Sequence, residues 1–428
     1  MKKKLDNEHI PLNTNQIIGK LSSMDIVKAI IGDQSNDWSI SYLTEGNLNQ
    51  VNVVRSSKGS ICVKQSMPYL RILGSEAKMP LNRIVYEHSA LIKHKNYARE
   101  YVPEVYYFDP SEYLLIFEYY DGFRNLRELL CSREYCNFLS KQIGIYIANT
   151  IFLSSDLSLK PHVRRLEAAY MAGNWGMFKW MEELSYTDPY INNPRNRWNS
   201  PYLDKTVEEF RNDSILKFNV SILKEKYMTN HETLVHGDLH TDSILIGEEN
   251  LGIIDYEHSF YGPYGYDFGH YYGHLFLNYF SQKNYKENLN NSYYEEWILK
   301  VIEETWNYFV IKFSELWENS RTGGAYSIKL LDNQQNNIGS DLSKKLLIQR
   351  TLKNAVGFTG IEIIRRIITV GHVYDLERIP DAYDKFKSEL KCLKFGKYLV
   401  LNNQKIENIS EIISKAEDIY ENDDYNSL

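Results

Sequence analysis

One segment in the middle of the chain constrains the fold more than any other, because it carries acidic residues on both sides of a short hairpin pattern. It spans residues 232–260 and reads ETLVHGDLHTDSILIGEENLGIIDYEHSF. Two short apolar runs, residues 243–246 and 251–254, flank a polar turn, which is the pattern of a β-hairpin. Since a hairpin reverses the chain, we expect it to bring Asp238, which precedes it, close to Asp255, which follows it.

Carboxylates in this arrangement suit the transfer of a phosphoryl group. Such a transfer needs one carboxylate to orient the attacking hydroxyl and others to hold Mg²⁺ against the phosphate oxygens. Asp238 is the candidate catalytic residue, which would also bind the substrate hydroxyl. Asp255 and Glu257 are the candidate metal ligands, because Mg²⁺ prefers hard oxygen ligands. HGD alone is a weak signal, since Asp is common in turns, but the complete pattern is much more specific.

The region before this segment predicts a small lobe rich in strands. Residues 38–66 indicate two strands joined by a turn at Lys58-Gly59, because Val51, Val53, Ile61 and Val63 alternate with polar neighbours. Further along, the patterns indicate one helix and two more strands, at residues 82–96, 105–108 and 113–117. From about residue 124 the chain is mainly helical.

An α+β fold with two lobes follows from this order of elements. The predicted divisions are a lead-in segment at residues 1–20, an ATP-binding N-lobe at residues 21–120 and a C-lobe at residues 121–428.

Composition and charge exclude several other classes of protein. The 428 residues carry a net charge of −7 without a basic stripe, which argues against binding to nucleic acid or to an anionic membrane surface. The N-terminus lacks the apolar core of a signal peptide, and no run of about 18 apolar residues is present. The four cysteines form no CxxC motif. We therefore expect a cytosolic protein with reduced thiols and no membrane partner.

Two adjacent arginines, Arg365 and Arg366, interrupt an otherwise apolar helical pattern, GFTGIEIIRRIITVGHV at residues 357–373. Guanidinium groups in such a helix are costly unless they are paired or face a ligand. One interpretation is a pair of salt bridges, one of them between Arg366 and Glu362, four residues earlier. The other is contact with a substrate, which we favour for at least one of the two arginines.

Histidine pairs at helical spacing raise the question of a zinc site. His236 and His240 are four residues apart, as are His270 and His274. No HExxH motif or third ligand accompanies either pair, so structural histidines are the better interpretation.

The central segment resembles the catalytic and metal-binding loops of the aminoglycoside and choline kinase group, which is related to the protein kinases. The segment departs from that group at two points: Ser243 stands in place of a common Asn, and a DxE motif stands in place of DxD. At both points it resembles the 5-methylthioribose kinase family. The similarity covers most of the chain in the same order, at EGNLNQV (45–51), VKQSMPYLRILG (63–74), YTDPY (186–190), DYEHSFYGPYGYDFGHYYGHLFLNYF (255–280) and GFTGIEIIRRIITVGHVYDL (357–376).

This resemblance implies a bilobal, protein-kinase-like fold and a reaction of methionine salvage. ATP, with Mg²⁺, would phosphorylate the 1-hydroxyl of the sugar 5-methylthioribose, and the enzyme would be a homodimer.

The nucleotide contacts follow from position. Lys64 ends an apolar strand, where it either reaches the phosphates or is a solvated lysine, and Glu87 on the next helix is placed to pair with it, as the helical Glu does in kinases. The turn at Gly46 and Asn47 either covers the phosphates with its amides or is a plain hairpin turn. Backbone groups from Glu118 to Tyr120, at the hinge between the lobes, would bind the adenine.

In the C-lobe the resemblance implies that Arg365 and Arg366 contact the sugar. His236, Ser243 and Asp267 would support the catalytic loop, with Asp267 bracing its backbone. Asp267 could also be a helix N-cap, and the two roles are compatible.

Other readings remain open at this point. Tyr256 and His258 stand where we associate Pro and Phe with the family, so a changed substrate preference is possible. A kinase of choline, homoserine or an aminoglycoside is the main alternative; choline would need an aromatic cage. A non-catalytic binding protein would be expected to lack Lys64, Asp238 or Asp255, and all three are present.

Overall fold

The computed structural model describes residues 10–43, 49–69, 78–284, 293–332 and 337–422. Its N-terminal part contains a five-stranded antiparallel sheet of order β1-β2-β3-β5-β4. The strands are β1 (Ser39–Leu43), β2 (Asn49–Arg55), β3 (Ser60–Ser66), β4 (Val105–Asp109) and β5 (Leu114–Glu118), and the helices of this lobe are α1 (Thr14–Leu21), α2 (Asp25–Ile31) and α3 (Arg83–Tyr97).

Three strands, not the two that the sequence predicts, lie between residues 38 and 66. The missed strand is β1, an edge strand whose side chains are mostly exposed. Its sequence, SISYL, alternates polar and apolar residues over only four positions, which is the shortest run that indicates a strand. The other predicted strands and the helix are confirmed within a few residues.

The sheet is covered on both faces. Ile61 and Val63 of β3 pack with Ile17 and Val27 of α1 and α2 in one hydrophobic cluster. Cys62, which points to the opposite face, packs with residues of α3 in the main core. Alternate residues of β3 therefore pack into two different hydrophobic clusters, one on each face of the sheet. The strand is almost entirely buried for this reason. Residues 14–20 of the predicted lead-in belong to helix α1, which is part of this packing.

Two short sheets follow, and they position the central segment. β6 (Arg124–Asn125), β8 (Ile244–Ile246) and β9 (Leu251–Ile253) form one sheet, in which β8 and β9 are the predicted hairpin. β7 (Thr233–Val235) pairs with β10 (Phe260–Gly262) in the other. The candidate catalytic loop, HGD, thus begins at the end of β7, and the acidic DYE turn lies between β9 and β10.

The remaining described residues are mainly helical, which confirms an α+β fold with a larger helical lobe. The helices are α4 (Leu126–Cys131), α5 (Leu139–Leu153), α6 (Pro161–Met171), α7 (Trp175–Tyr186), α8 (Asp204–Asn212), α9 (Ser214–Thr229), α10 (Tyr266–Ser281), α11 (Tyr294–Asn319), α12 (Ile328–Leu331), α13 (Ile338–Ile368), α14 (Tyr374–Glu377), α15 (Ala382–Asn402) and α16 (Ile409–Glu421). Among the described helices, none is both long and apolar enough to cross a membrane.

Helix α10 lies at the centre of this lobe, and all of its residues are buried. A helix surrounded by protein must be apolar on every side or must satisfy its polar groups locally. Four polar residues, Asp267, His270, His274 and Asn278, follow one another at spacings of three or four, so they share one face. We call this row the polar stripe of α10, and each of its members has a hydrogen-bond partner in another element.

Candidate active site

The conformation of the HGD loop after β7 is fixed by backbone contacts. Gly237 has φ = +90°, and a Cβ at this position would lie 2.2 Å from the carbonyl oxygen of His258, so only glycine fits. The carboxylate of Asp267 accepts hydrogen bonds from the amides of His236 (2.8 Å) and Gly237 (3.0 Å). Asp238 is therefore presented by a loop that is tied to the first turn of α10.

These contacts decide between the two interpretations of Asp267. Helix α10 has Gly265 as its N-cap and no side-chain capping bond, so the N-cap interpretation is wrong. Burial raises the pKa of Asp267 to about 6, although the two amide donors oppose the rise. Asp267 is the second residue of α10, so it lies beyond the capping position, and its carboxylate accepts from the neighbouring loop instead.

Two further side chains hold the loop. The His236 ring lies with Nε2 2.8 Å from the carbonyl oxygen of Ile254, and burial lowers the pKa of this histidine to about 4. A neutral His236 therefore donates to the strand end that precedes Asp255. The Ser243 hydroxyl donates to the carbonyl oxygen of Asp238 at 3.1 Å. Both side chains thus contact backbone groups of this segment; the sequence suggests such a contact for His236 but does not specify one for Ser243.

Asp238 is surrounded by donors. Its Oδ1 lies 3.0 Å from Nδ1 of His270, 3.1 Å from a terminal nitrogen of Arg365 and 3.6 Å from one of Arg366. Its Oδ2 lies 3.3 Å from Nε2 of His240. Burial opposes ionisation, but these donors hold the pKa of Asp238 well below its usual value. The carboxylate is therefore ionised at neutral pH.

A second buried carboxylate, Glu362, joins this group. It accepts hydrogen bonds from Arg365 (one of them at 2.9 Å) and from Nε of Arg366 (2.7 Å). Nε2 of His274 lies 3.2 Å away. Despite its burial, the cations hold the pKa of Glu362 well below its usual value. We call Asp238, His270, Glu362, Arg365 and Arg366 the C-lobe cluster.

Both interpretations of the arginine pair hold in part. The predicted salt bridge between Arg366 and Glu362 is present, and Arg365 shares the same carboxylate. One terminal nitrogen of Arg366 is nevertheless buried without a hydrogen-bond acceptor in the described part of the chain, 3.6 Å from Asp238. An unsatisfied buried donor beside the candidate catalytic carboxylate is suited to a ligand oxygen.

A different group of charges connects the two lobes. Nζ of Lys64, on β3, lies 2.7 Å from Glu87 on α3 and 2.7 Å from Asp255. The predicted pairing of Lys64 with Glu87 is thus present. Burial opposes the charge of Lys64, but Asp255 and Glu87 raise its pKa above its usual value. Burial raises the pKa of Glu87 to about 7.

The two carboxylates of the DYE turn have different surroundings. Asp255 has φ = +70°, and 45% of its side chain is exposed. Glu257 is only 2% exposed, and its Oε2 accepts from the side-chain amide of Asn49 (2.6 Å) and lies 3.4 Å from Nε of Arg83. We call Lys64, Glu87, Asp255, Glu257, Arg83 and Asn49 the inter-lobe cluster.

This cluster contains the carboxylates that could hold a metal ion. Oxygen atoms of Glu87, Asp255 and Glu257 all lie within 4.8 Å of one another. Three hard oxygen donors at this spacing fit Mg²⁺, which takes one or two protein carboxylates and completes its shell with water and phosphate oxygens. Asp255 is the most accessible of the three.

The segment predicted to bind adenine, Glu118 to Tyr120, begins where β5 ends. The amide of Glu118 donates to the carbonyl oxygen of Glu104, and the Glu118 carboxylate accepts from the Glu104 amide. The Tyr120 ring covers Gly252, where a Cβ would lie 2.5 Å from the ring. The amide of Tyr120 donates to no acceptor in the described part of the chain. Gly46 and Asn47 lie outside the described residues.

The two residues that flank Glu257 face different ways. The Tyr256 ring is completely buried between the rings of His94 and His236, and its hydroxyl lies 3.2 Å from that of Tyr146. It therefore faces the core. His258 is only partly buried, and its Nδ1 has no acceptor in the described residues.

Four residues of these clusters were missed as site residues in the sequence: Asn49, Arg83, His270 and Glu362. In the sequence, Glu362 stands out only as a salt-bridge partner of Arg366, and His270 only as one of two histidines at helical spacing. The available signal was polarity at positions where helix periodicity predicts burial, as for Arg83 and His270. This signal marks a buried polar residue but does not say which distant group it meets.

Comparisons with known proteins identify the family. Residues 165–298 match the model of the phosphotransferase enzyme family. Methylthioribose kinase 1 of Oryza sativa subsp. japonica is 33% identical over 408 residues, covering 94% of each chain. A methylthioribose kinase of Escherichia coli is 32% identical over 408 residues, covering 95% of this chain and 97% of the other. A solved choline kinase from Cryptosporidium parvum Iowa II is 15% identical, covers 89% of this chain and 96% of its own, and has a TM-score of 0.44. The chain belongs to the methylthioribose kinase family.

Proposed function

We propose that the protein transfers the γ-phosphoryl group of ATP, with Mg²⁺, to the 1-hydroxyl of 5-methylthioribose. The observation that carries this proposal is the pairing of two charged clusters around one segment of chain. The inter-lobe cluster offers a lysine and carboxylates for the nucleotide phosphates and the metal. The C-lobe cluster offers an ionised carboxylate, Asp238, beside arginine donors for the acceptor sugar. Membership of the methylthioribose kinase family supports the choice of sugar.

On the nucleotide side, Lys64 would contact the phosphates as a point charge. The free amide of Tyr120 would donate to the adenine, with Glu118 beside it, and the turn at Gly46 and Asn47 would cover the phosphates. Asp255 would hold Mg²⁺, with Glu257 as a second ligand once its bonds to the N-lobe loosen. When bound, the metal would neutralise charge on the transferring phosphoryl group.

On the acceptor side, Asp238 would accept a hydrogen bond from the attacking hydroxyl and orient it. The low pKa of Asp238 keeps it ionised, so it is able to accept throughout the neutral range. The unsatisfied nitrogen of Arg366 would donate to an oxygen of the sugar or of the γ-phosphoryl group. These interactions position the reactants, which is the main contribution a protein makes to phosphoryl transfer.

The charges in the C-lobe cluster favour a neutral acceptor over a cationic one. Choline or an aminoglycoside would have to place its hydroxyl on Asp238 and its positive charge near Arg365 and Arg366. Both carboxylates of the cluster are already paired with these two arginines, so this cluster of described residues retains no unpaired negative charge for an ammonium group. Tyr256 cannot help to cage an ammonium group at this position, since its ring is buried in the core.

The test is a screen of ATP consumption over methylthioribose, ribose, choline, homoserine and kanamycin, followed by identification of the phosphorylated position. We expect turnover with methylthioribose and much weaker turnover with ribose, with Asp238→Asn as the inactive control. Turnover with another alcohol but not with methylthioribose would contradict the proposed substrate but not the assignment as a phosphotransferase. The homodimer, the cytosolic location and the lobe boundaries at residues 20 and 120 stay predictions.

A further inference from the structure

His270 lies in the most buried helix of the C-lobe, and its ring contacts the candidate catalytic carboxylate. It belongs to the polar stripe of α10, is 3% exposed and packs against the ring of Tyr266. Nδ1 of His270 lies 3.0 Å from Oδ1 of Asp238. A buried imidazole costs free energy unless its polar atoms are satisfied. The partner that satisfies this one is the residue that would meet the acceptor hydroxyl.

We propose that His270 is a positioning residue for Asp238, whose carboxylate it holds in the orientation that the acceptor hydroxyl meets. The hydrogen bond runs from Nδ1–H of His270 to Oδ1 of Asp238. This inference rests on the proposed function, in which Asp238 orients the acceptor. Helix α10 thus contributes a contact that holds the Asp238 carboxylate in place.

The surroundings of His270 fix its tautomer. Two carboxylate oxygens lie near Nδ1, Oδ1 of Asp238 at 3.0 Å and Oε2 of Glu362 at 3.5 Å. Ionised carboxylates only accept hydrogen bonds, so Nδ1 must carry a proton. Both carboxylates are ionised, because neighbouring cations hold their pKa values low.

The hydrogen bond from His270 gives the two carboxylate oxygens of Asp238 different roles. Oδ1 receives His270 and Arg365, with Arg366 close by, so its acceptor capacity is used by the protein. Oδ2 has His240 at the longer distance of 3.3 Å. Oδ2 is therefore the oxygen that is available to a substrate hydroxyl. Rotation of the carboxylate would exchange the two oxygens, and a donor on a rigid helix resists that rotation.

Charge balance favours this role over a metal site. Ligand atoms of Asp238, His270 and Glu362 do lie within 4.8 Å of one another. Arg365 and Arg366 already bring two positive charges to the same two carboxylates. The titratable and charged groups that interact with Asp238 come from four elements: His236 and His240 of its own loop, His258 of the DYE turn, Asp267 and His270 of α10, and Glu362, Arg365 and Arg366 of α13.

Two conservative substitutions separate positioning from mere packing. In His270→Asn the side-chain amide occupies the place of Nδ1 and keeps a donor for Asp238. In His270→Gln the amide occupies the place of Nε2, so the donor to Asp238 is lost while polarity and size are kept. We expect kcat to fall about 10- to 100-fold in His270→Gln, as for a small misplacement of a reacting group, with little change in KM for ATP. His270→Asn should recover most of the loss.

A second measurement does not depend on turnover. The ¹³Cγ resonance of Asp238, assigned by its absence in Asp238→Asn, should shift in His270→Gln and stay close to the wild-type position in His270→Asn. His274→Gln is the matched control, because His274 also contacts Glu362 from the same helix but does not touch Asp238. It should lower stability, and the Asp238 resonance should stay in place.

The proposal is overturned if His270→Gln leaves both kcat and the resonance unchanged, or if His274→Gln shifts them as much. If His270→Gln does not fold, His270→Ala takes its place with the same expected loss. If the wild-type protein does not phosphorylate methylthioribose, the proposed substrate is wrong. The shift of the Asp238 resonance in His270→Gln would still test the role of His270.

Discussion

The inter-lobe cluster and the C-lobe cluster contain similar side chains but are built in opposite ways. Lys64, Glu87, Asn49 and Arg83 come from the N-lobe and meet Asp255 and Glu257 across the cleft. Asp238, His270, Glu362, Arg365 and Arg366 all belong to the C-lobe, where α10 and α13 pack directly together. The first cluster therefore depends on how the lobes close, whereas the second is assembled within one core.

This difference suggests how the two halves of the reaction are prepared. Charges that bridge two lobes change their spacing when the lobes move, which suits a nucleotide that must enter and leave. Charges held on two packed helices keep their spacing, which suits the orientation of an acceptor hydroxyl. Four predictions test whether the two clusters are as separate as their construction implies.

The largest effect should come from Asp238→Asn. This change keeps the shape of the side chain but removes the ionised acceptor for the hydroxyl, so we expect kcat to fall about 10³-fold. Nucleotide affinity, measured by calorimetry, should change little, because the inter-lobe cluster does not include Asp238. Asp242 lies in the same loop and pairs with Arg127, so Asp242→Asn is the control, with kcat within about twofold of wild type. Near-normal turnover of Asp238→Asn would contradict its role.

Asp255→Asn should have the next largest effect. Loss of the accessible carboxylate should weaken Mg²⁺-dependent nucleotide binding about 10²-fold, with little effect on binding in EDTA. Glu257→Gln sharpens the test, since this carboxylate already contacts Asn49 and Arg83. A smaller loss than in Asp255→Asn would indicate that Glu257 serves mainly to join the lobes. Equal losses would indicate that both residues are metal ligands.

His274, which contacts Glu362 of the C-lobe cluster, and Glu87 of the inter-lobe cluster should affect the pH dependence of stability with opposite sign. Burial lowers the pKa of His274 to about 3, so the unfolded state binds the extra proton, and stability falls as pH decreases below about 6.5. Burial raises the pKa of Glu87 to about 7, so the folded state binds the extra proton, and stability falls as pH rises from about 4.5 to 7. Each contribution should change by about 2 kcal/mol between pH 5 and 7.

Urea unfolding of two variants separates these contributions. Without the titration of His274, His274→Gln should become relatively more stable as pH falls from 7 to 5. Glu87→Gln should become relatively less stable over the same range. Parallel pH profiles for the two variants and the wild-type protein would show that neither group is held in the protonation state described here.

The smallest effect should come from Arg366→Gln. The unsatisfied nitrogen of Arg366 would be lost, and we expect KM for the sugar to rise about 10-fold, the value of one hydrogen bond to a charged group. KM for ATP should stay the same if the guanidinium contacts the sugar, and should rise if it contacts the γ-phosphoryl group. Arg365→Gln is the comparison, because Arg365 already uses its donors on Asp238 and Glu362. It should reduce stability more than Arg366→Gln does.

Much of the fold and of the site could be predicted because the signals are local. The β8–β9 hairpin follows from two apolar runs around a polar turn, and Asp238 and Asp255 lie beyond the same open end of it. The backbone role of His236 also involves only neighbouring segments. The edge strand β1 escapes prediction because it is short and mostly exposed, so its alternation covers only four residues.

The sequence by itself determined the phosphotransferase chemistry, since HGD, the hairpin and DYE lie within about 20 residues of each other. Only the tertiary structure decided which distant charges meet. Arg83 and Asn49 reach Glu257 over 174 and 208 residues, and Arg365 reaches Asp238 over 127. A buried charge must find a partner somewhere, but periodicity shows only that it is buried. The packing of α10 against α13 and the closure of the N-lobe on the DYE turn choose the partner.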